Sequence, residues 1–157
     1  MFSGKLLFSV FNTALKSYSS KVVNIGNSKT FVYNVINSKY FSTEVNVVTF
    51  EDIKKIKPEE NVVLIDVREP LELKETGVIP GSINIPLGEV EVAFTQTTDQ
   101  VFLKKYGKPK PAPSDPIIFS CKAGIRSAKA QTIVQNMGYL NVKNYLGGWI
   151  DWDTNKK

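Results

Sequence analysis

The chain has 157 residues, 42% of them hydrophobic and 11% aromatic, which suits one domain of ordinary size with a real core and argues against global disorder. It holds one cysteine and no histidine, so an internal disulfide and a Cys-rich zinc site are excluded, and the commonest general base is missing. The net charge of +5 does not describe a nucleic-acid surface: Lys5, Lys16, Lys21, Lys29 and Lys39 lie in residues 1–43 without any Asp or Glu, and the rest of the chain is neutral.

Residues 1–43 contain eight serines. Leu6, Leu7, Val10, Phe11 and Leu15 fall on one face at helical spacing, with Lys5 and Lys16 off it. An amphipathic, basic, acid-free leader resembles a mitochondrial transit peptide, although it has no Arg. "SKYFST" (Ser38 to Thr43) resembles the pattern at which such peptides are cut. The expected organisation is therefore a leader over 1–43 and a domain over 44–157. No apolar run approaches the ~20 residues of a membrane span.

From Val45 the pattern alternates. Val45 to Val48 reads as a strand, followed by a helix with Thr49 as N-cap and Glu51 and Asp52 in its first turn. Asn61 to Val67 is a continuous apolar run ending in Asp66, as a strand buried on both faces requires. "REPLELKET" reads as a helix with Pro70 in its first turn and Gly77 at its stop. "SINIP" is a third strand, "LGEVEVAF" a short helix and "DQVFLKKYG" another. "KPKPAPSDP" reads as a surface connection too stiff and polar for a core. "PIIFS" is a fourth strand, "IRSAKAQTIVQNM" a helix stopped by Gly138, "NVKNY" a fifth strand and "LGGWIDWDT" a closing helix. Strands alternating with helices predict an α/β fold around a central, mostly parallel five-stranded sheet flanked by helices on both faces.

Ligands in such folds bind at the carboxyl ends of the strands. Two strand ends carry reactive groups: Asp66 with Arg68, and Cys121. Cys121 leaves its strand into "CKAGIR", which must turn sharply into a helix. Gly124 allows a positive φ, and successive backbone N–H groups in such a turn form an anion-binding nest. The helix dipole, Lys122 and Arg126 add positive potential, so the thiol is expected to titrate below its usual range. Such a thiolate attacks sulfur and can carry a second sulfur atom as a persulfide. A lone cysteine is more often a core residue, but the strand end, the glycine and the flanking cations favour reactivity here.

"LIDVREPLELKETGVIPGSINIP", "CKAGIRS" and "NYLGGWIDW" resemble, in order and spacing, the motifs of single-domain rhodaneses, the thiosulfate sulfurtransferase family. The resemblance spans roughly Thr49 to Thr154. It implies a rhodanese fold and transfer of sulfane sulfur to cyanide, glutathione or another thiol, without a cofactor or metal. It assigns Cys121 as the persulfide-bearing nucleophile. It assigns Lys122, Ala123, Gly124, Ile125 and Arg126 to the loop that cradles sulfur and substrate, and gives Asp66 and Arg68 a supporting place. Small-molecule donor and acceptor are the implied partners, with no nucleic acid or membrane. Val78 stands where many members carry His, at a position that looks structural. Trp149 and Trp152 read as core or pocket wall. The alternatives are a phosphatase of the related fold, whose Cys-x5-Arg loop is one residue longer than the Cys-x4-Arg found here, and a non-catalytic interaction module, which has usually lost its cysteine.

Overall fold

A computed structural model describes residues 19–23, 31–35, 46–57 and 60–156. The chain divides into two units, Met1–Glu44 and Val45–Lys157. In the first, strands β1 (Ser19–Val23) and β2 (Phe31–Val35) pair antiparallel, with Lys21 opposite Tyr33. The sequence expectations place no strand here. The β-branched and aromatic residues of "FVYNV" suit one, but the serine- and lysine-rich surroundings hide the signal. The apolar face from Leu6 to Leu15 and the Ser38 to Thr43 segment lie outside the described residues.

The second unit alternates as expected. Its strands are β3 (Val47–Val48), β4 (Val63–Asp66), β5 (Ile83–Asn84), β6 (Ile117–Ser120) and β7 (Val142–Tyr145). Its helices are α1 (Phe50–Lys55), α2 (Pro70–Thr76), α3 (Val90–Thr95), α4 (Asp99–Tyr106), α5 (Ile125–Asn136) and α6 (Gly148–Asn155). The five strands form one parallel sheet in the order β3-β7-β6-β4-β5. Thr49 caps α1 as predicted: its hydroxyl accepts from the Asp52 N–H, and the Asp52 carboxylate accepts from the Thr49 N–H at 2.8 Å.

Alternate strand residues feed two cores, one on each face of the sheet. Val63, Ile65, Ile117, Phe119 and Val142 pack with Phe94 of α3, Phe102 of α4 and Val134 of α5. Leu64, Ile118 and Tyr145 pack with Ile53 of α1, Ile79 and Trp149 of α6. This two-sided burial explains why β4 and β6 read as unbroken apolar runs. The Pro-rich connection departs from expectation, because Pro111 is buried. Its carbonyl accepts from the Tyr139 hydroxyl at 3.2 Å, and Lys110 donates to the Thr97 carbonyl at 2.8 Å. The ring of a proline is apolar enough to pack once neighbours satisfy its carbonyl. Among the described residues no helix is long and apolar enough to cross a membrane.

One ion pair sits inside the fold. Arg68 is 1% exposed and Asp66 is fully buried. The Asp66 carboxylate accepts from Arg68 Nε, from Nη2 at 2.6 Å and from the Arg68 backbone N–H at 3.0 Å. Arg68 Nη1 donates to Thr76 Oγ1, Nη2 also donates to the Gly77 carbonyl, and the guanidinium lies 4.9 Å from the Trp149 ring centroid. The pair thus ties the end of β4 to the end of α2 and to α6. Arg68→Ala should cost about 3–5 kcal/mol, because it strands a buried carboxylate. The double variant Asp66→Leu/Arg68→Met, which leaves no buried charge, should lose less, and urea unfolding of both checks the order.

Candidate active site around Cys121

The two reactive strand ends foreseen from the sequence meet. β4 and β6 are neighbours, with Asp66 opposite Ser120. From these two strands the chain runs to opposite sides of the sheet, to β5 and to β7, the kind of switch point at whose carboxyl ends open α/β sheets bind ligands.

Cys121 follows β6 and continues the parity of Ile117 and Phe119, so its side chain faces the α5 side and joins that core. It is 1% exposed. Burial alone pushes a thiol up and describes an inert core cysteine. Yet the thiol is held below its usual range: burial raises it, and hydrogen bonds from the Ser127 hydroxyl and from the backbone of Ser127, Ala123 and Arg126 outweigh that. The Ser127 hydroxyl itself is buried and stands 3.2 Å from Sγ. A buried hydroxyl donor on the sulfur, at the start of a helix, fits a thiolate, which accepts it.

The loop between β6 and α5 is locked from several sides. Gly124 adopts φ 77°, as predicted, and a Cβ there would collide with the backbone of Leu146. The Gly124 carbonyl accepts from Asn144 Nδ2 of β7 at 3.1 Å. The start of α6 closes over the loop: the Trp149 N–H donates to the Cys121 carbonyl at 2.8 Å and the Ile150 N–H to the Lys122 carbonyl at 3.2 Å. Gly148, at φ 57°, permits this approach, since a Cβ would strike the Cys121 carbonyl. Tyr145 fixes α6 by donating its hydroxyl to Asp151 at 2.7 Å. Among the described residues the Ser120 hydroxyl and Asn144 Oδ1 are buried without a partner.

The predicted site residues divide by role. The backbone of Ala123 and of Arg126 helps hold the thiol below its usual range. Lys122 is exposed and forms no ion pair among the described residues. Ile125 is 71% exposed beside the loop. The Arg126 guanidinium does not act as a free charge at the thiol: Nη1 and Nη2 donate to Glu72 Oε2 and Oε1 of α2 at 2.6 and 2.7 Å. Asp66 and Arg68 satisfy each other within the fold, and Arg68 also reaches Thr76 and Gly77. Trp149 is core, and Trp152 packs on Phe50 with ring centroids 5.3 Å apart.

Sequence reasoning missed Ser127 and Asn144 and did not join Glu72 to Arg126. Ser127 lies six residues after Cys121, within the helix that the loop begins, and that spacing was its only signal. A cavity of about 510 Å³, lined by Ile53, Val62, Leu64, Ile79 and Trp152 among others, lies toward the start of β4 and does not touch Cys121. Among the described residues no cluster of side chains could hold a metal ion.

Ser127→Ala should move the pH midpoint of Cys121 alkylation upward and slow alkylation at neutral pH roughly threefold or more, because one donor to the thiolate is lost. Alkylation rate against pH, read beside thermal melting, checks this; an unmoved midpoint would contradict the account.

Residues 49–155 match the model of the rhodanese-like domain. A mouse protein, thiosulfate sulfurtransferase/rhodanese-like domain-containing protein 3, is 43% identical over 117 residues, covering 74% of each chain. Two relatives come from Saccharomyces cerevisiae. Thiosulfate:glutathione sulfurtransferase is 39% identical over 70% of this chain and 79% of its own. Thiosulfate sulfurtransferase RDL2, mitochondrial, is 30% identical over 71% and 76%. The solved structure of the human single-domain sulfurtransferase TSTD1 superposes with a TM-score of 0.66 at 29% identity, covering 71% of this chain and 98% of that one. The cysteine loop between β6 and α5, the sheet that carries it and these likenesses agree, and the chain belongs to the rhodanese-like family.

Proposed function

We propose that the protein is a sulfurtransferase that moves sulfane sulfur through a Cys121 persulfide. The observation that carries this reading is the buried Ser127 hydroxyl 3.2 Å from Cys121 Sγ, at the start of α5 and beside a locked loop, with the thiol held below its usual range. Cys121 thiolate attacks the outer sulfur of thiosulfate, the S–S bond breaks, and sulfite leaves with the electron pair. The resulting persulfide anion rests among the donors of Ala123, Arg126 and Ser127, with Gly124 supplying the turn and Lys122 and Ile125 at the rim. A persulfide donor reacts in the same way and releases its thiolate. Cyanide, glutathione or another thiolate then attacks the outer sulfur, and Cys121 thiolate departs, ready for the next cycle. No proton transfer to the attacking sulfur is needed, which suits a chain without histidine. The names of the sulfurtransferase relatives favour thiosulfate as donor and glutathione as acceptor.

Intact-mass measurement after thiosulfate treatment should show one added sulfur atom that cyanide removes. Cys121→Ser should show neither the addition nor turnover. Turnover by the serine variant would refute the mechanism, and hydrolysis of an aryl phosphate in place of sulfur transfer would favour a phosphatase.

The same proposal places the protein in mitochondria, in the matrix, with residues 1–43 as a transit peptide. The basic, acid-free composition of that segment supports it, as does the mitochondrial name of one yeast relative. A fluorescent protein fused behind residues 1–43 should be imported, and the native protein should begin near Phe41. A diffuse cytosolic signal with an intact N-terminus would reject the location alone.

A further inference from the structure

The ion pair beside the cysteine loop determines which charge a donor meets. Arg126 gives both terminal nitrogens to Glu72, and Glu72 Oε2 also accepts from the Glu69 N–H at 3.0 Å. Both side chains are about one-third exposed, at 32% and 31%, so the pair lies at the crevice rim and not in the core. Arg126 and its hydrogen bonds hold the Glu72 carboxyl down at about 2, which keeps it ionised at any working pH. Arg126 stands five residues after Cys121, in the first turn of α5.

The charges around the thiolate then sum differently from the sequence expectation. Arg126 is neutralised by Glu72, and Arg68 by Asp66. Lys122 is left as the unpaired cation of the loop among the described residues. Two exposed apolar residues belong to the same loop region: Ile125 at 71%, three positions after Lys122, and Leu146 at 59%, whose backbone packs on Gly124.

We propose that Glu72 is a specificity-determining residue: by occupying Arg126 it biases the site toward singly charged sulfur donors with an organic substituent, such as thiosulfonates, over the thiosulfate dianion. This inference rests on the sulfurtransferase reading and refines it. With a thiosulfonate, Cys121 thiolate attacks the terminal sulfur, the S–S bond breaks, and a sulfinate leaves with the electron pair. The persulfide formed is the same as with thiosulfate. The two donors differ by one charge at the rim and by an apolar group that Ile125 and Leu146 can cover.

The test compares benzenethiosulfonate with thiosulfate, and iodoacetate with iodoacetamide as a readout of the field at Cys121 that needs no turnover. Glu72→Gln should raise kcat/KM for thiosulfate relative to benzenethiosulfonate roughly three- to tenfold, and should raise the iodoacetate-to-iodoacetamide rate ratio in step. The double variant Glu72→Gln/Arg126→Gln removes no net charge and should keep both ratios within about twofold of wild type. It also serves if the single variant does not fold, as thermal melting will show. Unchanged ratios in a folded Glu72→Gln protein, or a fall in both ratios in the double variant, would overturn the proposal. The latter would mean that Arg126 already serves the anion. If the wild type turns over neither donor, the sulfurtransferase reading fails, and the alkylation ratios alone decide the assignment of Glu72.

Discussion

Everything at the site depends on how closely two backbone turns approach each other. The loop after β6 and the Leu146–Gly147–Gly148 turn after β7 meet with no room for side chains at Gly124 or Gly148. Because they meet, the first N–H groups of α6 reach the carbonyls of Cys121 and Lys122. Those bonds fix the peptide planes of the cysteine loop at Cys121 and Lys122. A helix start normally leaves its first donors unsatisfied, and here α6 spends two of them on fixing the loop. The cradle is thus assembled by parallel β6 and β7, whose neighbouring ends bring the two turns together.

The charged residues arrange themselves around this contact in two tiers. The lower tier is the buried Asp66–Arg68 pair, whose guanidinium reaches Thr76, Gly77 and Trp149 at once. Its position beneath α6 makes it a brace for the closing turn. The upper tier is Glu72–Arg126, at the rim, joining α2 to the start of α5. Pro70 opens α2 within its first turn and so sets where Glu72 stands. The lower pair ties the end of β4 to α2 and α6, and the upper pair joins α2 to the start of α5 after β6, without any covalent cross-link.

Much of this was legible in the sequence. Alternating apolar runs and helical stretches specified the sheet, because its central strands β4 and β6 are buried on both faces and the turns are marked by Gly, Pro or a capping threonine. Gly124 was legible too, since a four-residue passage from strand to helix favours a residue with positive φ. What was not legible required knowledge of neighbours far apart in the chain. The partner of Arg126 lies 54 residues away, on α2, and nothing local distinguishes Glu72 from Glu69 or Glu75. Asn144 reads as a polar residue in a strand until β7 is known to lie against the loop. Pro111 looked too polar in context to be buried, because the partner that satisfies its carbonyl, Tyr139, comes 28 residues later.

The single thiol has a consequence for sulfur accounting. Many thiol proteins pass a bound atom or an oxidising equivalent to a second cysteine a few ångströms away, and so complete a cycle within one molecule. This chain has no second sulfur nucleophile, since it contains one cysteine. Under the proposed persulfide cycle its capacity is one slot, either empty or full, and the occupant could leave only in an encounter with another molecule. The lifetime of such a loaded state would then be set by the concentration of whatever collides with it, and the loaded fraction would follow the supply of acceptors as much as the supply of donors.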